Sequence, residues 1–343
     1  MKIDSGGSAR AAPRRRLLRA LAAAALALAA GGAAAAESAA PLRVVVISDL
    51  NESYGSTRYA DTVLQAVRRI EAIRPALVIS TGDMVAGQRL APPLTRPELE
   101  AMWAAFHRAV SDPLARAGLP LAVTPGNHDA AAGTRFRLER EVFRAQWLPR
   151  KPALDFVDAA GYPFHYAFAV GPVLFVSLDA TAVGHLPERE KRWLADLLER
   201  HGDRYKFRVV YGHLPLWPFA EGRATEYLGD TELERLLQRH RVDLVLSGHH
   251  HAYYPGAKDG VRYVSQACLG AAPRPLLGSD RRAEHAITVL EFPVDGPPSV
   301  EAYRAPHYTE KIDRHTLPER IVSPRATLLR DDLAAKAGAA ARP

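Results

Sequence analysis

The chain has 343 residues, 48% of them hydrophobic and 24% charged, which is the composition of a globular protein and not of a disordered or fibrous one. The net charge of +7 is concentrated at the amino terminus, where residues 1–36 carry six basic side chains against one acid. That segment holds +5 of the total, so the rest of the chain is near +2. A nearly neutral folded part lacks the basic surface of a nucleic-acid-binding protein, and the sequence implies no nucleic-acid partner.

Residues 1–36 have the layout of a cleavable export signal. A basic segment precedes the apolar run LLRALAAAALALAA, and small residues follow up to Ala36, after which we place the cleavage. The run is shorter than the roughly 20 apolar residues of a membrane-spanning helix, so we expect no stable membrane span in the mature protein. RRRLLR, residues 14–19, resembles the twin-arginine export motif, with an arginine-rich secretory signal as the alternative. Either route predicts a periplasmic or secreted protein.

Strand and helix patterns alternate after this leader, which predicts a layered α/β fold. The strands predicted in the first half are residues 42–49, 76–83 and 120–129. The helical stretches predicted between them are residues 56–75 and 97–118. Further along, the patterns predict a hairpin around Gly171, helices at 187–202 and 230–240, and strands at 206–213 and 242–250. Cys268 is the only cysteine, so an internal disulfide is excluded.

Three later segments complete the predicted domain. Residues 260–267, 286–292 and 299–305 are predicted to be consecutive strands of a second sheet. We therefore expect one domain over residues 42–306, with two sheets and helices outside them. Residues 318–343 are rich in alanine and are predicted to form a peripheral or disordered tail.

Five of the predicted strands end in Asp, Asn or His. These tips are Asp49 and Asn51, Asp83, Asn127 to Asp129, His213, and His249 to His251. Ligands bind at the carboxyl ends of strands in open α/β sheets, and carboxylate, amide and imidazole groups without thiolates suit Mn, Fe or Zn. In an extended chain, His249 and His251 would share a face about 6.6 Å apart and serve neighbouring metals, while His250 points away. Asp49 and Asn51 have the same spacing.

Taken together and in this order, the tips resemble the motifs of the calcineurin-like metallophosphoesterase superfamily. The matching elements are D-L-N at 49–51, G-D at 82–83, G-N-H-D at 126–129, G-H at 212–213 and G-H-H-H at 248–251. The resemblance spans about residues 42–306. It implies a four-layer α-β-β-α sandwich with a dinuclear metal site at the carboxyl ends of the strands.

The resemblance also implies a role for each motif residue. The ligands of one metal would be Asn127, His213 and His249, those of the other would be Asp49 and His251, and Asp83 would bridge the two. His128 would sit beside the substrate phosphate and stabilise or protonate the leaving oxygen, and Asp129 would orient His128. A metal-bridging hydroxide would attack phosphorus in line, because two cations lower the pKa of bound water and neutralise charge on the phosphoryl group.

The chain departs from the superfamily pattern at Asn51, where a metal-binding His is usual. Some branches that lack this His supply a Tyr three residues after the bridging Asp, but that position is Ala86 here. Three interpretations are open. Asn51 is a weak ligand of a labile first metal, or it contacts the substrate or a metal-bound water, or the site is degenerate and binds without catalysing.

The sequence thus predicts an exported, metal-dependent phosphoesterase that acts on a small phosphorylated substrate, either a monoester or a diester. Tyr54 and Arg58 follow the first strand tip and are candidates for contact with the phosphate or its leaving group, the alternative being a packed aromatic and a solvated arginine. The alternative function is a catalytically weak or inactive metal-dependent protein that binds a phosphoryl ligand on the same fold, because Asn51 replaces the usual His.

Overall fold

The structure, a computed structural model, describes residues 40–340; the predicted export signal at residues 1–36 lies outside the described residues. Within this range, no helix is both long enough and apolar enough to span a membrane. The helices are α1 (Asp61–Ile73), α2 (Arg96–Phe106), α3 (Asp112–Arg116), α4 (Asn127–Ala130), α5 (Arg137–Trp147), α6 (Glu188–His201), α7 (Thr231–Arg239) and α8 (Asp331–Ala340). A π-helical segment, His107–Ser111, joins α2 to α3.

Two sheets form the centre of the fold. The strands are β1 (Leu42–Ile47), β2 (Leu77–Ser80), β3 (Leu121–Val123), β4 (Asp155–Asp158), β5 (Tyr166–Val170), β6 (Val173–Ser177), β7 (Phe207–Tyr211), β8 (Leu244–Ser247), β9 (Tyr254–Lys258), β10 (Val261–Ser265), β11 (Ala286–Phe292), β12 (Ser299–Arg304), β13 (Glu310–Lys311), β14 (Arg320–Val322) and β15 (Thr327–Arg330). The six-stranded sheet has the order β13-β12-β11-β1-β2-β3, and the nine-stranded sheet has the order β14-β15-β9-β10-β8-β7-β6-β5-β4.

The middle of each sheet is parallel. Strands β1, β2 and β3 run parallel in the six-stranded sheet. Strands β6, β7, β8 and β10 run parallel in the nine-stranded sheet. Parallel strands are covered on both faces and therefore read as continuous apolar runs, as β2 and β6 do. Because parallel strands end at one edge of a sheet, the polar tips of each set are gathered together.

Four layers result from the alternation of side chains along the strands. On β7, Val209 and Tyr211 pack in the core shared by the two sheets, whereas Val210 packs with residues of α6 and α7. Phe292 of the six-stranded sheet contacts Phe175 of the nine-stranded sheet, with ring centroids 6.1 Å apart. Helices α1, α2 and α5 pack on the six-stranded sheet. The predicted α-β-β-α sandwich is confirmed.

The prediction that the last three strands follow one another in the second sheet is wrong. β10 lies beside β8 in the nine-stranded sheet, but β11 crosses back and pairs antiparallel with β1, so that Leu290 is opposite Val44. β12 then pairs with β11. An apolar run records that a strand is buried but not which sheet it joins, and the residues between β10 and β11 are numerous enough to cross the sandwich.

The domain also extends beyond the predicted end at residue 306. β14 and β15 form an antiparallel hairpin, and β15 pairs with β9 at the edge of the nine-stranded sheet. Ile321 and Leu328 of this hairpin are buried. Residues 320–330, which belong to the segment predicted to be a peripheral or disordered tail, therefore form an ordered edge of the nine-stranded sheet.

Candidate metal centre

The loops that follow β1 and β2 are hydrogen-bonded to each other and carry two buried carboxylates. The Asp49 amide donates to the Gly82 carbonyl at 3.1 Å. The amides of Leu50 and Asn51 both donate to the Asp83 carbonyl, at 2.9 and 3.2 Å. The side chains of Asp49 and Asp83 are buried, and a buried charge is costly unless a cation or hydrogen bonds compensate for it. The site must therefore supply hydrogen-bond donors or cations to both carboxylates.

Four motif residues have a left-handed backbone. The φ angles are +51° for Asp49, +54° for Asp83, +65° for His249 and +55° for His251. Side chains other than glycine rarely adopt this region, and such residues cluster at functional sites. The predicted extended geometry is therefore wrong for the G-H-H-H segment, because β8 ends at Ser247 and both histidines reach the site from a loop. The D-L-N segment likewise lies beyond the end of β1.

Two motif glycines are required by close packing against these carboxylates. A Cβ at Gly126 would lie 2.2 Å from the backbone nitrogen and the Oδ1 of Asp83. A Cβ at Gly248 would lie 2.2 Å from Ser48 Oγ and 2.8 Å from Asp49 Oδ2. No Cβ approaches other atoms so closely, so only glycine fits at either position. Gly126 thus lets two neighbouring loops of the six-stranded sheet meet, and Gly248 lets a loop of the nine-stranded sheet meet one of the six-stranded sheet.

Asp83, His213 and His249 form a buried group whose ligand atoms all lie within 4.8 Å of one another. His213 Nε2 is 3.3 Å from Asp83 Oδ2. Burial alone would lower the pKa of His213, but the carboxylate of Asp83 raises it to about 9. Burial would likewise raise the pKa of Asp83, and the imidazoles of His213 and His128 instead hold it well below its usual value. Strong mutual perturbation in a buried cluster is typical of a functional site.

Asp49 and His251 form a second buried pair. His251 Nε2 is 3.2 Å from Asp49 Oδ1. Burial would raise the pKa of Asp49, but His251 holds it below its usual value. The hydroxyl of Ser48 donates to Asp49 Oδ2 at 2.6 Å, and the amide of His249 donates to the same carboxylate. The carboxylate is thus fixed in orientation by the chain on three sides.

Backbone carbonyls orient two of the histidines. Nδ1 of His213 lies 2.8 Å from the Thr81 carbonyl, and Nδ1 of His251 lies 3.0 Å from the Ala272 carbonyl. A carbonyl can only accept a hydrogen bond, so each Nδ1 carries a proton and each Nε2 is the ring nitrogen that faces the site. A metal-binding histidine needs this orientation, because the metal would take the place of any proton on Nε2.

Two buried acceptors of this site have no hydrogen-bond partner among residues 40–340. They are Asn127 Oδ1 and His213 Nε2. The Asn127 amide nitrogen donates to Gln88 Oε1 at 2.9 Å, which fixes Oδ1 as the free end of the side chain. An unsatisfied buried polar atom costs about 1–3 kcal/mol. His213 Nε2 lies 3.3 Å from Asp83 Oδ2, and Asn127 precedes His128, whose amide donates to the same carboxylate. This combination of donors fits bound metal ions.

His128 is fixed at the opening of the site. Its Nδ1 lies 3.0 Å from the Gly87 carbonyl, and its amide donates to Asp83 Oδ1 at 2.8 Å. Its Nε2 is 3.9 Å from Asp83 Oδ2, and 17% of the side chain is exposed. The free ring nitrogen therefore sits next to the central carboxylate and remains accessible to a substrate.

The prediction that Asp129 orients His128 is wrong. The Asp129 carboxylate accepts from the amides of Met84 and Val85, at 2.8 and 3.0 Å, and from Gly126 at 2.9 Å. Burial, and then the charge of Asp83, raise the pKa of Asp129 to about 7. Asp129 therefore shapes the loop that carries Asp83, and the Gly87 carbonyl is the group that orients His128.

The remaining predicted residues lie at different distances from this centre. Asn51 is buried, and its backbone contacts Asp83 as described above. Ala86 is buried as well, and its carbonyl accepts the Gly55 amide at 2.8 Å. The Tyr54 ring is exposed and lies 5.4 Å from the His128 ring, whereas Arg58 is exposed and its guanidinium has no hydrogen bond to the described residues. Of the two substrate candidates, the structure brings only Tyr54 to the site.

Sequence patterns did not indicate Glu226. Its Oε2 is 3.0 Å from His249 Nε2, and this hydrogen bond is the main reason that the pKa of Glu226 falls to about 2. The bond leaves Nδ1 of His249 as the ligand atom. His250 stabilises the same loop, since its Nδ1 accepts the Phe219 amide at 3.0 Å and its Nε2 donates to the Glu226 carbonyl at 2.9 Å. Glu226 belongs to no motif and follows no strand, so no local signal marks it.

Comparison with known proteins identifies the family. The model of the calcineurin-like phosphoesterase family matches residues 42–253. Purple acid phosphatase 23 of Arabidopsis thaliana is 27% identical over 236 residues, which are 63% of this chain and 48% of that protein. The chain therefore spans about half the length of this curated relative.

Solved structures share the fold. A dimetal phosphatase from Danio rerio aligns with a TM-score of 0.57 and 18% identity over 79% of this chain and 98% of its own. The purple acid phosphatase PPD1 from yellow lupin (Lupinus luteus) seeds aligns with a TM-score of 0.56 and 17% identity, over 76% of this chain and 51% of its own. GAP50, the anchor in the inner membrane complex of Plasmodium, aligns with a TM-score of 0.52 and 14% identity, over 77% of this chain and 85% of its own. At these identities the structures show the fold alone. The family model, however, matches more than half of this chain, which therefore belongs to the calcineurin-like phosphoesterases.

Proposed function

We propose that this protein is a metal-dependent phosphoesterase that hydrolyses a phosphate ester of a small molecule. The observation that carries the proposal is the buried group of Asp83, His213 and His249, whose ligand atoms lie within 4.8 Å of one another, together with two unsatisfied buried acceptors, Asn127 Oδ1 and His213 Nε2. Buried polar atoms in folded proteins are almost always paired, so these atoms indicate a ligand. Membership in the family supports the reaction class.

The arrangement divides into two half-sites that share Asp83. One cation would be held by Asn127, His213 and His249, the other by Asp49 and His251, and Asp83 would contact both. Bound cations supply a nucleophile at neutral pH by lowering the pKa of water, and they neutralise the charge of the phosphate. Mn, Fe and Zn all suit this ligand set. The chain contributes fixed ligand orientations, since backbone carbonyls, Ser48 and Gln88 hold the ligand side chains before any metal binds.

His128 would act on the leaving group. The Gly87 carbonyl fixes the Nδ1 proton, so that Nε2 faces the opening and can exchange a proton with the departing oxygen. Tyr54, at 5.4 Å from this ring, forms one wall of the opening and would contact the leaving group. Proton transfer by a positioned imidazole contributes about 10²–10⁴ in rate.

Hydrolysis of model substrates tests the proposal. An aryl phosphate monoester and an aryl phosphate diester are incubated with the mature chain and with Mn, Zn or Fe. We expect turnover that a chelator removes and added metal restores, and the monoester-to-diester ratio then defines the ester class. A folded, metal-loaded chain that hydrolyses neither ester with any of the three metals would contradict the proposal.

Asn51 favours a second candidate function. A metal-dependent protein that binds a phosphoryl ligand with little or no turnover would tolerate a weak ligand at this position. An amide oxygen is a weaker donor to Zn or Fe than imidazole, and Ala86 supplies no replacement ligand. The two candidate functions share the fold and the remaining ligands, so a variant of Asn51 separates them.

We expect Asn51→His to tighten binding of one of the two metals on the order of tenfold, because imidazole replaces an amide donor. Metal titration by calorimetry measures the affinity, and Ser53→His, an exposed residue of the same loop, is the matched control. A large rise in kcat in the same variant would mean that Asn51 limits the activity of the native chain. A fall would mean that Asn51 contacts the substrate. Unchanged affinity for both metals would show that residue 51 is not a ligand position.

We further propose that the protein is exported and acts in the periplasm or outside the cell. The support is the composition of residues 1–36. Expressed in a bacterial host, the processed chain is expected to begin at Glu37, as read by mass spectrometry. Replacing the arginine cluster at residues 14–16 with lysines should block a twin-arginine signal and spare a secretory one. An unprocessed chain retained in the cytoplasm would rule out export.

A further inference from the structure

Two arginines outside the motifs lie on loops beside the metal centre. Arg223 and Arg274 belong to segments that are joined to each other, since Ala220 and Leu276 form an antiparallel bridge. A Cβ at Gly222 would lie 3.3 Å from Nη1 of Arg274. The Arg274 guanidinium therefore reaches across to the residue that precedes Arg223, and the two cationic side chains are neighbours.

Both segments contact histidines of the metal centre. The Arg274 amide donates to the His251 carbonyl at 3.3 Å. Arg223 forms an ion pair with Glu226, whose other contact is His249 Nε2 at 3.0 Å. The arginines thus flank His249 and His251, the two predicted metal ligands of the G-H-H-H motif, one beside each half-site.

The guanidinium groups are incompletely satisfied. Nε of Arg223 and Nε of Arg274 are buried and have no hydrogen-bond partner among the described residues. Arg223 forms an ion pair with Glu226, which also contacts His249, whereas Arg274 forms no ion pair within residues 40–340. Burial, and then the charge of Arg223, lower the pKa of Arg274, and Glu226 opposes this. Two adjacent, partly buried cations with free donors are a receptor for an anion.

We propose that Arg223 and Arg274 form an anion-binding subsite that receives a second phosphate, carried by the leaving group of the substrate. The forked donors of guanidinium match phosphate oxygens. Arg274 offers a fork that has no ion pair among the described residues, and Arg223, which pairs with Glu226, adds positive charge beside it. The scissile phosphate would be held by the metal centre, which would leave the arginines beside it for another group. The substrate class is then a small molecule with two phosphates, one of them hydrolysed. This subsite rests on the phosphoesterase function proposed above.

A matched pair of non-hydrolysable anions tests the subsite. Methylphosphonate carries one phosphoryl group and methylenediphosphonate carries two, and both are titrated into the metal-loaded chain by calorimetry. We expect Arg274→Gln to weaken binding of the diphosphonate about tenfold and of methylphosphonate by less than about twofold, because only the second group loses a charged donor pair. Arg274→Lys keeps the positive charge but not the forked donors, so its affinity for the diphosphonate should fall about threefold. Metal content measured before and after each titration corrects for chelation.

Arg281→Gln is the matched control, since Arg281 lies on the same loop but pairs with Glu284 at the surface. Arg223 is not substituted, because its loss would leave Glu226 unpaired beside His249. If the ratio of the two affinities is the same in Arg274→Gln, Arg274→Lys and Arg281→Gln as in the native chain, the subsite is wrong. Hydrolysis of aryl phosphates is scored separately. If aryl phosphates are hydrolysed but the ratio of the two phosphonate affinities does not change in the Arg274 variants, only the subsite is rejected. If that ratio changes but no aryl phosphate is hydrolysed, only the phosphoesterase function is rejected.

Discussion

We expect Asp83→Asn to lower kcat/KM for an aryl phosphate at least about 10³-fold, a loss on the order of 4 kcal/mol of transition-state stabilisation. Asp83 Oδ2 lies 3.3 Å from His213 Nε2 and 3.9 Å from His128 Nε2, so the carboxylate is central to the site. An asparagine carries no charge and offers one acceptor oxygen, so it cannot hold two cations. Metal content and turnover, measured on the same preparation, are both expected to fall.

The fold should survive this substitution. Asparagine tolerates the left-handed backbone of residue 83, where φ is +54°, and the Asp83 carbonyl would still accept the amides of Leu50 and Asn51. Asp313→Asn is the matched control, because the Asp313 side chain only caps a helical turn by accepting the His315 amide, and asparagine caps equally well. If Asp83→Asn retained full metal content and activity within tenfold of the native chain, Asp83 would not be the shared ligand.

We expect His128→Ala to lower kcat about 10²–10³-fold on an alkyl phosphate and much less on a nitrophenyl phosphate. The reason is the leaving group. An alkoxide needs a proton to depart, whereas nitrophenolate leaves without one. Nε2 of His128 is the ring nitrogen that faces the opening, because Nδ1 is held by the Gly87 carbonyl. The measurement is the ratio of the two kcat values in the native chain and in the variant.

This ratio distinguishes proton transfer from a structural role. His128 is not among the expected ligands, so the metal content of His128→Ala should match that of the native chain. His185→Ala, at an exposed histidine on another loop, is the matched control and should leave both rates unchanged. An equal loss on the alkyl and the aryl substrate would mean that His128 positions the site and does not transfer the proton.

The two variants also test how the site is divided. Asp83→Asn is expected to remove metal and activity together, and His128→Ala is expected to remove activity alone. Loss of metal from the histidine variant would indicate that its amide hydrogen bond to Asp83 Oδ1, at 2.8 Å, had shifted the carboxylate. The separation of these outcomes follows from geometry, since the imidazole of His128 lies beside the ligand group and the carboxylate of Asp83 lies within it.

The layered α/β fold and the group of motif side chains could be predicted from the sequence alone. Each of these is recorded locally, as an apolar run followed by Asp, Asn or His, and the edge of a parallel sheet then gathers such tips whatever the details of the loops. The motif glycines were also visible in the sequence. The structure gives the physical reason for them, since packing such as that of Gly126 against Asp83 leaves no room for a side chain.

The groups that orient these side chains could not be predicted from the sequence. Carbonyls such as those of Gly87 and Thr81 occur at every residue, so no sequence pattern distinguishes the ones that fix a histidine tautomer. Glu226 and Arg274 reach the site from loops whose position depends on the packing of distant segments. The assignment of β11 to the six-stranded sheet was undetermined for the same reason: a buried strand is apolar in either sheet, and its partner is chosen by long-range packing that local patterns do not record.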